Sequence, residues 1–480
     1  MSQRIAATLA VLLVAVPVNA QDAPTDPAPR LIAAIDAKGP HYAEMAKQIW
    51  TFAEVGYQEV KSSALLATEL ETAGFKVTRG VVGIPTAFVA EFGSGKPVIG
   101  ILGEFDALPG LSQEVSPLQK AIIANAAGHG CGHNLFGVGS AAAAIAVKEW
   151  MIANRITGTL RFYGTPAEEG GSGKVYMVRD GLFKDVDAVV AWHPGDVNDI
   201  NGTSSQGNIT GKFRFRGVSA HAAGAPERGR SALDGVEALD VMVNMMREHV
   251  PQDTRIHYVI TNGGRAPNVV PDFAEVYYYA RQNDMKILDD VWERILKAAQ
   301  GAAMGTGTTV DFEITGSVYP TLLNEVLAKV MYKRLQQVGG VKYTAEEEAF
   351  AKTLQQSLGS QAKSLDSAWA ISPWQFGGSS TGSTDVADVS WNVPTVQLGA
   401  ATWVPGTAAH SWQAVAASGM SIGAKGMMVA AKTMALTTAD LFMSPATLVA
   451  ARAEMDQRRG KDFVYRTRLG DRKPALDYRK

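Results

Sequence analysis

The stretch Leu160-Arg-Phe-Tyr-Gly-Thr-Pro-Ala-Glu-Glu-Gly-Gly171 decides how the fold is read. Leu160 to Gly164 has the composition of a buried strand, and two carboxylates, Glu168 and Glu169, follow it almost at once. Adjacent acids just beyond the carboxyl end of a strand sit where an α/β sheet builds its site. Two anions side by side are costly without a cation. A bound metal would offset that cost, with one glutamate as ligand and the other as general base. Taken alone, the pair also fits a solvated acidic turn.

The same pattern extends in both directions. Upstream, Leu31 to Phe52 and Ser62 to Ala73 read as helices, Val98 to Leu102 as a buried strand, and Gly137 to Met151 as an Ala-rich helix. Downstream, Val186 to Trp192 is another buried strand. Short apolar strands separated by helices predict an α/β domain with a largely parallel sheet. Near residue 210 the pattern changes: Phe213 and Phe215 alternate with Arg214 and Arg216, and two helices and three further strands follow. That β-α-β-β-α-β order predicts a ferredoxin-like α+β unit. It is placed at 210–317, inserted into a main domain formed by 21–209 and 318–480. The main domain resumes by Leu323 and includes the strand Thr395 to Leu398, while the run Gly377 to Thr384 reads as a loop lining the site.

Two domains suit a chain of 480 residues. A 46% hydrophobic, 19% charged composition excludes a disordered chain. A formal net charge of −2 gives no footprint for nucleic acid. The basic tail after Arg458 reads as a solvated surface or a packing strap. At the other end, Arg4, the apolar run Ile5 to Val16 and small residues before Gln21 predict a signal peptide over 1–20, cleaved after Ala20. The apolar run is too short to cross a bilayer. The expectation is an exported protein, periplasmic or extracellular, with no membrane span after cleavage.

Cys131 is the single cysteine, so no internal disulfide is available. A lone thiol in an oxidising compartment calls for an occupant. It lies in Gly128-His-Gly-Cys-Gly-His-Asn134, two residues from His133. Thiolate and imidazole are both good ligands for a divalent transition metal, although the pair also fits a buried cysteine beside a capping histidine. His193 ends the apolar run Val189 to Trp192, and His410 follows the strand Thr395 to Leu398. Each histidine alone fits a structural role; together with the two clusters they favour a metal site.

Six motifs occur in order: Gly-Glu-Phe-Asp-Ala-Leu-Pro (103–109), Cys-Gly-His-Asn (131–134), Ala-Glu-Glu-Gly-Gly (167–171), Trp-His-Pro (192–194), Ser-Ala-His-Ala-Ala (219–223) and the late His410. This order resembles the aminoacylase/carboxypeptidase family of metallopeptidases, and within it the aminobenzoyl-glutamate hydrolase type and the auxin-conjugate amidohydrolases. The resemblance runs over essentially the whole chain after the signal. It implies a zinc-peptidase-like catalytic domain with an inserted lid or dimerisation domain. It also implies that Cys131, His133, Glu169, His193 and His410 hold two divalent ions, Mn2+ or Zn2+, with Glu168 as catalytic base. His221 would polarise the scissile carbonyl, often in a partner subunit's site, so a homodimer or homo-oligomer is expected. Asn268 and Arg281 would bind the substrate carboxylate, a task suited to the planar guanidinium fork. Relatives with carboxylate-rich sites have a histidine where this chain has Glu104. That departure fits the Cys-containing branch and leaves Asp106 to orient a ligand or the base.

The expected activity is metal-dependent hydrolysis of an amide bond in a small N-acyl or aminobenzoyl amino acid with a free carboxylate. Alternatives are a dipeptidase or carboxypeptidase, a hydrolase with Cys131 as nucleophile, and a binding protein using the same cleft without turnover. Gly93-Ser-Gly-Lys96 lacks phosphate-loop spacing, which excludes a nucleotide site there. Trp192, Trp403 and Trp412 read either as aromatic walls for an acyl group or as core.

Overall fold

The computed structural model describes residues 26–479. The signal peptide expected at 1–20 lies outside the described residues. Among the described residues, eleven strands are distributed over two sheets. In chain order they are β1 (Lys76–Arg79), β2 (Phe88–Ser94), β3 (Val98–Gly103), β4 (Gly158–Gly164), β5 (Ala188–Gly195), β6 (Asp199–Ile200), β7 (Gly207–Arg216), β8 (Arg255–Asn262), β9 (Phe273–Gln282), β10 (Thr309–Val318) and β11 (Thr395–Ala401).

The seven-stranded sheet has the order β1-β2-β4-β3-β5-β11-β6. Its centre, β4-β3-β5-β11, is parallel, while β1, β2 and β6 are antiparallel additions at the edges. β3 is buried along its whole length. Burial on both faces is why its sequence reads as a continuous apolar run rather than an alternation. The helices His133–Asn154 and Ser421–Met443 pack against each other and against this sheet. The first of them is long and apolar enough to cross a membrane, yet most of it is buried inside the domain. Its Ala-rich surface lets helix and sheet approach closely, and Gly137 sets the distance: a Cβ there would lie 2.8 Å from the Glu104 carbonyl oxygen. That contact seats the start of the helix against the end of β3.

The four-stranded sheet, β10-β7-β9-β8, is antiparallel throughout. With helices Ala232–Met246 and Met285–Thr306 it forms the ferredoxin-like unit. Along β9 the alternation is complete: Ala274, Val276, Tyr278 and Ala280 are buried in the unit's own core, and Tyr277, Tyr279 and Arg281 point the other way.

Several details differ from the sequence reading. Leu31 to Phe52 is two helices, Ala28–Ala37 and Gly39–Phe52, because Pro40 suits the first turn of a helix and not its interior. The Ala-rich helix begins at His133 rather than Gly137. The sheet of the inserted unit starts at Gly207, ahead of residue 210, and ends at Val318, so its first and last strands in sequence cross the boundaries drawn at 210 and 317. Trp192 and Trp403 are core residues: the Trp192 indole N–H donates to the Phe136 carbonyl at 3.1 Å, and that of Trp403 to Ser418 Oγ at 3.1 Å. Trp412 packs against a small apolar cluster around Leu354 and Ile422. None of the three lines the cleft described below.

Candidate active site

The four parallel strands deliver their loops to one place. β3 is followed by Glu104 and Asp106, β4 by Glu168 and Glu169, β5 ends on His193-Pro-Gly195, and β11 leads to His410. The loop before helix His133–Asn154 adds Cys131, and the helix opens on His133. Convergence at the carboxyl ends of parallel strands follows from the topology alone.

Ligand atoms of Cys131, His133 and His193 lie within 4.8 Å of one another, as do those of Cys131, Glu169 and His410. Cys131 belongs to both groups. Its Sγ is 3.5 Å from His193 Nε2, and His410 Nε2 is 3.1 Å from Glu169 Oε1. A third group joins Glu104, His133 and Glu168. The backbone is shaped to hold these side chains: Ala167 (φ 57°) and His410 (φ 59°) both occupy the left-handed region, where a residue with a Cβ persists only if its surroundings enforce it. The Ala167 N–H donates to buried Glu59 Oε1 at 2.9 Å, and the His410 N–H to the Gly130 carbonyl at 2.8 Å.

Asp106 is placed to orient rather than to bind. One of its oxygens is 2.9 Å from His133 Nδ1 and the other accepts the Glu169 N–H at 2.9 Å. A carboxylate on Nδ1 leaves Nε2 as the ligating nitrogen. The Nδ1 of His193 is likewise engaged, 2.8 Å from the Pro194 carbonyl, so its Nε2 faces the site.

The donors suit divalent metal ions. His133 Nε2 and Glu169 Oε1 are buried atoms without a hydrogen-bond partner, although each lies close to another ligand atom. Polar atoms that converge without bonding one another are what a metal centre requires. Burial pushes His193 down to about 4, with His133 adding to the effect, which keeps the imidazole neutral as a ligand must be. Burial and then Glu169 push the Cys131 thiol up, against the pull of His133. A nucleophilic cysteine needs the opposite shift, so the environment disfavours Cys131 as an unaided nucleophile.

Glu168 is held well above the usual carboxylate range by burial, then by Glu104, Glu169 and Asp385. Beside it lies a buried charge network absent from the sequence reading. Lys174, the second residue of helix Gly173–Arg179, puts Nζ 2.7 Å from Glu104 Oε1 and 2.7 Å from Asp385 Oδ1. Its spacing after the acidic pair gave no signal, because a lysine at the start of a helix normally reads as solvent-facing.

Cys131, Glu168, Glu169, His193, His410 and Asp385 line a cleft of about 560 Å³, bordered on the lid side by Tyr279 and Arg281 of β9. Arg281 donates to Ser383 Oγ at 3.1 Å, and its buried Nε has no partner. His221 and Asn268 lie elsewhere. They neighbour each other, with the Ala222 N–H donating to the Asn268 carbonyl at 3.0 Å, and neither lines this cleft. His221 is exposed, and its Nδ1 accepts the backbone N–H groups of Ala223 and Gly224.

The fold and the convergent donor set define a metal-dependent hydrolase. The model of Peptidase family M20/M25/M40 matches residues 100–435, and the chain belongs to that family; it is a metal-dependent amide hydrolase. It is 42% identical to a p-aminobenzoyl-glutamate hydrolase polypeptide of Escherichia coli (strain K12), a match covering 80% of this chain and 85% of that protein. The Xaa-Arg dipeptidase of Mus musculus is 29% identical over 64% of this chain and 70% of its own length. Among solved structures, an aminobenzoyl-glutamate utilization protein from Klebsiella pneumoniae superposes with a TM-score of 0.60 at 17% identity, covering 86% of this chain and 98% of that one. A dinuclear metal-binding peptidase from Bacillus subtilis does so with a TM-score of 0.57 at 18% identity, covering 85% and 99%.

Proposed function

We propose that this enzyme hydrolyses the amide bond of N-acyl or aminobenzoyl amino acids, small molecules of the aminobenzoyl-glutamate kind that keep a free carboxylate beside the scissile bond. One observation carries the reading: the half-buried carboxylate of Glu168 and the guanidinium of Arg281, its Nε unpartnered, share a cleft with Cys131, Glu169, His193 and His410.

Cys131, His133, Glu169, His193 and His410 would hold two divalent ions, for which thiolate and imidazole donors favour manganese or zinc. Two such ions supply Lewis acidity, easing removal of a proton from water and drawing charge from the amide carbonyl. Glu168 takes that proton and returns it to the leaving nitrogen, one side chain serving as base and then as acid. Arg281 fixes the substrate carboxylate by paired N–H donation. Asp106 holds His133 in its tautomer.

His221 and Asn268 act on a second copy of the chain in this proposal. Their place on the exposed end of the lid, away from their own cleft, supports a homodimer in which each lid completes the other site. The residues before 21 are proposed to export the enzyme to a periplasm or beyond the cell.

The test is a panel of N-acyl amino acids, aminobenzoyl-glutamate and dipeptides, each assayed with manganese and with zinc. Hydrolysis confined to substrates with a free carboxylate is the expected result. Dipeptides cleaved in preference to N-acyl compounds would move the assignment to a dipeptidase, and no turnover under any condition would leave a binding protein.

A further inference from the structure

The geometry points to Arg479 as a second carboxylate-binding residue of the cleft, which reads the side-chain acid of a dicarboxylic amino acid while Arg281 takes the acid next to the scissile bond. The inference rests on the N-acyl amino acid reading above and adds to it a specificity-determining residue.

The segment 460–479 is a strap across both domains. Arg468 pairs with Asp289 on a lid helix, and Arg472 pairs with Glu313 and donates to the Thr315 carbonyl on β10. On the catalytic side, the Arg179 guanidinium donates to the Arg472 carbonyl at 2.7 Å, and Gln58 to the Leu476 carbonyl at 2.7 Å. The strap ends on the acidic turn itself, where the Tyr478 hydroxyl donates to the Glu169 carbonyl at 3.0 Å. Gly170 (φ 93°) takes the left-handed backbone that favours glycine, and the Tyr478 ring and an Arg479 nitrogen lie beside it at ordinary contact distance.

Arg479 stacks on the neighbouring Tyr478 ring, 5.1 Å from its centroid. It donates from Nη2 to the same Glu169 carbonyl, at 2.8 Å, which Tyr478 already satisfies. It makes no ion pair among the described residues, unlike Arg468 and Arg472 on the same strap. A guanidinium has five N–H donors in a planar fork, and one of them makes this hydrogen bond. It lines the active-site cleft and also an adjoining cavity of about 560 Å³. Tyr279 lines both spaces too. The Arg281 guanidinium lies over the Tyr279 ring, 5.7 Å from its centroid, and Arg479 borders both of the spaces that this ring borders. A cleft with two arginines that have no carboxylate partner among the described residues, beside Glu168 and the candidate metal ligands, suits a substrate with two acids.

The test compares N-benzoyl-L-glutamate with N-benzoyl-L-alanine, which differ by the second carboxylate. Binding is measured by calorimetry on the Glu168→Gln protein, with Arg479 intact or changed to Gln or Lys. Arg479→Gln is expected to weaken binding of the glutamate compound about 10- to 100-fold more than that of the alanine compound, the size of one charged hydrogen-bonded contact, and Arg479→Lys to recover part of the loss. Equal losses on both ligands would make Arg479 a structural residue, and no change or no binding of either ligand would remove it from the site. Hydrolysis by the unmodified enzyme is assayed separately. If both compounds bind with Arg479-dependent discrimination but neither is cleaved, the amide-hydrolysis reading fails and the Arg479 assignment stands.

Discussion

The ammonium of Lys174 lies 2.7 Å from Glu104 Oε1, with both side chains wholly buried. Glu104 occupies the position where the family resemblance leads one to expect a histidine ligand. Its second oxygen is 3.1 Å from His133 Nε2, so it adds negative charge to the ligand cluster, and Lys174, shared with the Asp385 carboxylate, offsets that charge. Charges taken this far from water survive only as a set. Lys174→Met should therefore strand two buried carboxylates and lower stability by about 3–5 kcal/mol. Urea unfolding followed by fluorescence checks this; an unchanged midpoint would mean that the network is not energetically coupled.

Glu168→Gln keeps the shape and polarity of the side chain but cannot accept the proton from water. It should retain bound metal and fold normally, with turnover reduced at least about 100-fold, the range for loss of a general base. A variant with normal turnover would exclude Glu168 as the base.

The exposed position of His221 leads to a complementation experiment. Glu168→Gln and His221→Ala should each be nearly inactive as pure proteins. Unfolding and refolding them together should restore activity, because a mixed dimer contains one site with Glu168 intact in one chain and His221 supplied by the other. If the mixture is no more active than its components, His221 does not act across a dimer interface.

Asp199, on β6 and separated from His193 by the intervening β11, offers a test of the electrostatics through stability. Burial and then Asp196 push its carboxyl up to about 6 from an ordinary value of 3.8. A raised acid holds its proton more tightly folded than unfolded, so its contribution to stability is complete below 3.8 and is lost as pH rises through about 6. Asp199→Asn removes that dependence. Its melting temperature relative to the parent should rise steadily between about pH 4 and about pH 7, and a constant difference would show that Asp199 titrates normally.

Much of the fold was readable because parallel strands covered on both faces leave continuous apolar runs, as at Val98 to Leu102, and because β9 alternates strictly. The ligands were readable because they sit at strand ends beside glycines. Lys174 was not, since a buried lysine looks like any surface lysine until its two carboxylate partners, far apart in sequence, are brought together. Glu59 was missed for the same reason: its hydrogen bond to the Ala167 N–H links residues 108 apart. The position of Arg479 depends on a strap whose basic residues fit an exposed tail equally well. Pro40, by contrast, was visible and undervalued: it divides the first helical stretch where hydrophobic spacing alone runs on.

The central claim is that Cys131, His133, Glu169, His193 and His410 together hold two divalent ions beside Glu168. The direct measurement is elemental analysis of the purified active enzyme, repeated after EDTA treatment and after readdition of manganese or zinc. The account predicts two metal equivalents per chain, loss of metal and activity together, and return of both with the added ion. Full activity in a preparation free of metal would contradict it.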